Sequence, residues 1–200
     1  MVEQIEDILE YWFGMGKTAT AVANEKKTLW WSKNDDIDME IINRFAATTE
    51  AAVNDELDDW EDSSRGLLAL IICTDQFSRN MYRDTPRAFS GDPVALGYAR
   101  QCVVSRADQQ LKPIERVFAY LPFEHSEERA EQQRSLDLFQ ALAASVGADE
   151  TALFEGYYQY AIRHYEIVDR FGRFPHRNQM LQRQSTDDEL NFLEQPGSSF

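Results

Sequence analysis

The chain has 200 residues, 43% of them hydrophobic and 12% aromatic, which supports a sizeable core and excludes a disordered polymer. Its formal net charge of −15 repels nucleic-acid phosphates and anionic lipid, so neither nucleic acid nor a membrane is an expected partner. Sixteen acids face five bases in residues 1–62, a net of −11, whereas the remainder carries −4. Its two cysteines, Cys73 and Cys102, form no CxxC pair, and the N-terminus is acidic where a secretory signal is basic. Free thiols in a reducing cytoplasm are expected. The longest apolar run, Leu67 to Cys73, is far short of a membrane span.

Apolar residues recur at three- and four-residue spacing, the helical period. Val2 to Phe13 reads as an amphipathic helix, with Ile5, Ile8, Leu9 and Trp12 on one stripe and Gly14 and Gly16 ending it. Thr18–Asn24 reads as a loop. Asp35 or Asp36 is the expected cap of a helix running through Ile37, Ile41 and Phe45. Leu67 to Met81 reads as a buried helix, apolar on every side in its first half. Asp92-Pro93 opens the next helix, with Asp92 as cap. Pro113 opens another, expected to end near Leu121-Pro122. Ser126-Glu127-Glu128 starts a long helix closed by Gly147, and Asp149 starts one that Gly172 ends. Thr186 to Glu189 matches a capping box for a last helix. The sum is an all-α domain, 1–200, of about eight or nine helices. Short connections favour antiparallel neighbours packed in sequence order.

Common catalytic signatures are missing: there is no Gly-rich phosphate loop, GxSxG, HExxH or Cys/His cluster, so no cofactor or metal is expected. Fourteen of the 15 bases after residue 62 are arginine, the side chain suited to bidentate grip on carboxylate or phosphate. Arg79, Arg83 and Arg87 form one basic island with Asn80. Arg170, Arg173 and Arg177, with His176, form a second that contains no acid. Asp75, Arg79 and Arg83 are spaced by four and should share a helix face. Two readings fit: a structural ion network, with Arg83 paired to Asp84 or Glu124, or a ligand site.

Each of the three histidines has two readings. His164 falls on the apolar stripe of its helix, as a hydrogen-bonded core residue or as a general base. His125 precedes the helix start at Ser126, where free N–H groups favour an anion. His176 lies between Pro175 and Arg177. Phe200 is either tucked in or frayed.

Three stretches together, Asp75 to Asp92, Leu121 to Glu127 and Arg170 to Asn178, followed by Ser185-Thr186 and a Pro-Gly-Ser-Ser-Phe end, resemble the bacterial family known as domain of unknown function 924. The resemblance implies stacked helical hairpins similar to tetratricopeptide-repeat proteins, and it implies no known activity. Ser78 departs from the proline expected in the Asp-Gln-Phe run, which should leave the buried helix straighter.

The expected function is a pocket for a small anionic metabolite. Arg79, Arg83, Arg173 and Arg177 would grip it, and His164 or His125 would act as base beside Asp75 or Glu124. A groove for an acidic peptide, and a purely structural protein with internal ion pairs, are the alternatives.

Overall fold

The computed structural model describes residues 2–199, and every regular element among them is helical. Phe200 lies outside the described residues. Helix α1 (Ile5–Phe13) buries Ile8, Leu9, Trp12 and Phe13. The Thr18–Asn24 stretch is not a loop but the start of α2 (Ala19–Trp31). The Thr18 hydroxyl accepts the Ala21 N–H at 3.2 Å, and only Ala19, Val22 and Trp30 are buried, which leaves little periodicity to read. Helix α3 (Asp35–Val53) is capped by Asn34 rather than by either aspartate, with Asn34 Oδ1 accepting from the Asp36 and Ile37 amides.

Helix α4 spans 64–81 and is not uniform. It is α-helical over Ser64–Ile71, a π-turn over Ile72–Phe77, and α-helical again over Ser78–Met81. The Ser78 amide reaches back to the Cys73 carbonyl, and the Ser78 hydroxyl donates to the same oxygen at 3.3 Å. Serine at this position therefore accompanies a widened turn rather than an even α-helix. Such turns recur at functional sites because one extra residue re-aims side chains. Here Phe77 enters the aromatic core, stacked 4.7 Å from Phe45 and edge-on to Trp12 at 5.6 Å. Asp75, within the same turn, is equally buried. Truncating Phe77 to alanine would cost about 3–5 kcal/mol.

Gly91 packs directly on the π-turn. A Cβ there would lie 2.2 Å from the Thr74 carbonyl oxygen, so only glycine fits. Gly91 is also the N-cap of α5 (Asp92–Val104), which frees the Asp92 carboxylate from the capping duty expected of it. Helix α6 (Pro113–His125) runs on through Pro122 instead of stopping there, bringing Glu124 and His125 onto its last turn. Pro122 lacks a donor, but its buried ring keeps the helix packed. Helices α7 (Arg129–Ser145) and α8 (Thr151–Phe171) follow, and consecutive helices from α4 to α8 pack against one another. Gly172, at φ +69, ends α8 in the left-handed conformation. Helix α9 (Asp187–Leu193) has the expected Thr186/Glu189 capping box. No helix among the described residues is long and apolar enough to cross a membrane.

Candidate functional site

The π-turn of α4 faces the end of α6, and the contact is polar. The buried Asp75 carboxylate accepts from His125 Nδ1 at 2.7 Å, from Gln76 Nε2 at 2.5 Å and from Arg79 Nη2 at 3.2 Å. An ionised carboxylate only accepts, so the His125 ring hydrogen belongs on Nδ1 and the lone pair on Nε2. Burial pushes the Asp75 carboxyl up, but His125 and Arg79 outweigh it and hold the group below the usual carboxylate range. Burial, and then the Arg79 charge, pull His125 below its ordinary value against the attraction of Asp75. With His125 neutral, Arg79 is the cation that balances Asp75. His125 remains 15% exposed.

A second carboxyl–imidazole pair lies beside the first. His164, on α8, donates from Nδ1 to the Tyr160 carbonyl at 2.9 Å, and Glu124 Oε1 stands 3.2 Å from the same nitrogen. The His125 and His164 rings are 6.3 Å apart. Burial, reinforced by the Asp75 charge, raises the Glu124 carboxyl to about 8, so it carries its proton at neutral pH. Burial drives His164 well below its ordinary value, and that ring is neutral too. Two similar pairs thus sit in different protonation states because their surroundings differ.

Two arginines complete the cluster. Arg79 Nη2 donates to Asp92 Oδ1 at 2.8 Å, and Arg177 Nη1 donates to Asp92 Oδ2 at 3.3 Å. Asp92 and Asp75 keep Arg79 charged against its desolvation. Arg177 is only 7% exposed, and burial with the neighbouring Arg79 charge lowers its guanidinium to about 10. Its guanidinium lies over the Phe89 ring at 4.9 Å and the Phe174 ring at 4.5 Å. His176, on the same turn, is held at about 4 by burial and by Arg177 and Arg79.

The fold therefore gathers Asp75, Arg79, Glu124, His125, His164, His176 and Arg177, including all three histidines of the chain. The other expected residues lie elsewhere. Helix α4 ends at Met81, so Arg83 leaves the Asp75 face and instead grips Asp38 through two bonds of 2.7 and 2.9 Å. Asn80 donates to the same Asp38 at 2.7 Å. Arg170 pairs with Asp188 at the surface, and Arg173 makes a bidentate pair with Glu189 at 2.6 and 2.8 Å. Sequence reasoning missed Asp92, read as a cap, and Phe89.

Two open clefts lie away from this cluster. One of about 570 Å³ lies at the starts of α2, α6 and α8, flanked by Lys17 and Lys112, and one of about 370 Å³ lies near Ser63–Arg65. Neither contains a candidate residue. Among the described residues, Asp55, Asp58 and Glu61 have carboxylates close enough to share a cation, but they are a surface group remote in sequence from the cluster.

The model of the family described as "Bacterial protein of unknown function (DUF924)" matches residues 8–197. The solved structure of a protein of unknown function from Agrobacterium tumefaciens is similar, with 36% sequence identity and a TM-score of 0.80. The match covers 95% of this chain and 96% of that one. No functionally curated protein matches. A family match over nearly the whole length, together with this shared fold, means that the chain belongs to the DUF924 family of bacterial proteins.

Proposed function

We propose that the protein binds a small anion, a carboxylate or phosphate, at Arg177 and Arg79, with His125 as the acid–base group and Asp75 orienting it. The observation that carries this reading is Arg177. A guanidinium has five N–H donors. Arg177 is almost fully buried and makes a single 3.3 Å hydrogen bond, and its buried Nε has no partner among the described residues. Burying a charge with so little compensation costs several kcal/mol, a cost typical of groups kept for function rather than stability. Arg79 likewise holds a buried Nε without a partner. An oxyanion would fill both sets of donors in the bidentate manner that arginine favours.

The neutral His125 supports acid–base work. Its Nδ1 is committed to Asp75, which leaves Nε2 as a base in a water-poor setting. Glu124, protonated beside His164, supplies a proton donor in the same cluster. The two free, buried thiols suit a reducing cytoplasm. A tetratricopeptide-like groove holding an acidic peptide would use the same two arginines, so such peptides belong in the test.

The test is a thermal-shift screen of wild type and Arg177→Met with inorganic phosphate, dicarboxylates and short acidic peptides. A ligand at 100 times its Kd adds about 2.7 kcal/mol. A shift in wild type that disappears in the variant supports the reading. No shift with any anion rejects it, and a shift with peptides alone moves the function to the groove.

A further inference from the structure

Arg177 does not reach the cluster from a long helix. It lies on the segment 172–186, between α8 and α9, whose regular structure is a single 3-10 turn at Pro175–Arg177. Its backbone hydrogen bonds, such as Asn178 N–H to the Pro175 carbonyl at 3.0 Å and Arg183 N–H to the Asn178 carbonyl at 2.8 Å, are local, so side chains must fix its position against the helices. Arg173, at its start, turns outward to Glu189. Phe174 turns inward, fully buried against His164 and the Arg177 guanidinium.

One carboxylate from outside holds this strap at its core. Glu127, in the corner between α6 and α7, accepts the Phe174 backbone N–H at 2.8 Å. It also accepts two bonds from Arg183, at 2.6 and 2.9 Å. Arg183 in turn ties the strap to itself, donating to the Phe174 carbonyl at 3.2 Å and to Asn178 Oδ1 at 3.0 Å. Asn178 is buried and donates to Ser185. Glu127 thus joins the two ends of the strap from inside, beside the outer tie that Arg173 makes to Glu189 and, at 2.9 Å, to the Gln184 carbonyl. The direct link that Arg177 itself makes, to Asp92, is longer at 3.3 Å.

We infer that Glu127 is a positioning residue: with Arg183 it latches the 172–186 strap, and so sets where Arg177 meets an anion it never touches itself. The inference rests on the anion reading for its functional consequence and on the hydrogen-bond geometry for the latch. Gly172, at φ +69, begins the strap in the left-handed conformation that ends α8. Releasing the latch lets the strap swing while the helices stay packed.

Trypsin cleaves after arginine, and Arg173, Arg177 and Arg183 all lie on the strap. In native buffer, Glu127→Ala should be cut within the strap at least about tenfold faster than wild type, with the remaining helices intact, as expected for local opening. Its melting temperature should fall by only a few degrees, and its stabilisation by inorganic phosphate should be lost. Glu127→Gln keeps an acceptor for Phe174 but not the charge for Arg183; it should fall between the two, and it carries the test if the alanine variant does not fold. Unchanged cleavage in both variants overturns the latch. Faster cleavage with full phosphate stabilisation overturns the positioning role. If wild type itself gains nothing from phosphate, the anion reading is what fails, and the cleavage comparison still decides the latch.

Discussion

His125 Nδ1 lies 2.7 Å from Asp75 Oδ1, a contact that joins the π-turn of α4 to the last turn of α6 across fifty residues of chain. Asp75 is also the buried partner of Arg79. Asp75→Asn removes the charge and leaves the desolvated guanidinium to Asp92 alone. Breaking a buried pair in this way costs about 3–5 kcal/mol. Urea unfolding of Asp75→Asn, Arg79→Met and the double variant measures it. The double variant should be more stable than the sum of the single losses implies, with a coupling of about 0.5–3 kcal/mol. Strict additivity would mean that the pair is not energetically connected.

Glu124 makes stability depend on pH. Its folded carboxyl sits at about 8 against an ordinary 4.5, so between those values the folded protein holds a proton that the unfolded chain has lost. Stability from this group is complete below about 4.5 and falls as pH rises towards 8, by up to about 1.4 kcal/mol per unit. Glu124→Gln, neutral at every pH, should lack that part of the slope. Unfolding curves of both proteins from pH 5 to pH 9 would show the difference, and parallel profiles would mean that Glu124 is ionised in the fold.

His176 acts in the opposite direction. Its folded value of about 4 lies below the ordinary 6.5, so the unfolded chain takes up protons first as pH falls. Its contribution is intact above about 6.5 and is lost as pH falls towards 4. An NMR titration should find the His176 ring neutral at pH 6. Removing the neighbouring cation in Arg177→Met should raise the value at which it protonates. A His176 already charged at pH 6 in wild type would be incompatible with the cluster as described.

The two central arginines should differ when truncated. Arg79 balances two carboxylates, so Arg79→Met strands Asp75 and costs about 3–5 kcal/mol. Arg177 makes one long bond, and Asp92 keeps Arg79 when Arg177 is gone. Arg177→Met should therefore cost less than about 1 kcal/mol or raise the melting temperature, as expected where a buried charge is kept for function. An equal loss in both variants would make Arg177 a structural residue.

Local pattern revealed the helices and one edge of the cluster. The four-residue spacing of Asp75 and Arg79 is a property of any helix, and their 3.2 Å contact follows from it. The same spacing misled at Arg83, because where a helix stops is a tertiary matter and α4 stops at Met81. The π-turn gave no signal, since it follows directly on the apolar run Leu67–Cys73, where no periodicity can be read for an extra residue to disturb. Asp92 and Glu127 sat in stretches that looked like helix starts, and their use as bridges depends on partners up to 85 and 56 residues away. Arg170 and Arg173 seemed free because the stretch from Arg170 to Asn178 holds no acid, yet Asp188 and Glu189, on the first turn of α9, come back to them.

The anion site itself is tested most directly by observing Arg177 during a titration. In ¹⁵N-labelled protein the arginine Nε–H groups give separate NMR signals, and inorganic phosphate and a dicarboxylate can be added stepwise. The expected result is a saturable shift of the Arg177 and Arg79 signals, with Arg170, Arg173 and Arg83 unmoved because Asp188, Glu189 and Asp38 already occupy them. Movement of the surface arginines while Arg177 stays silent would contradict the site.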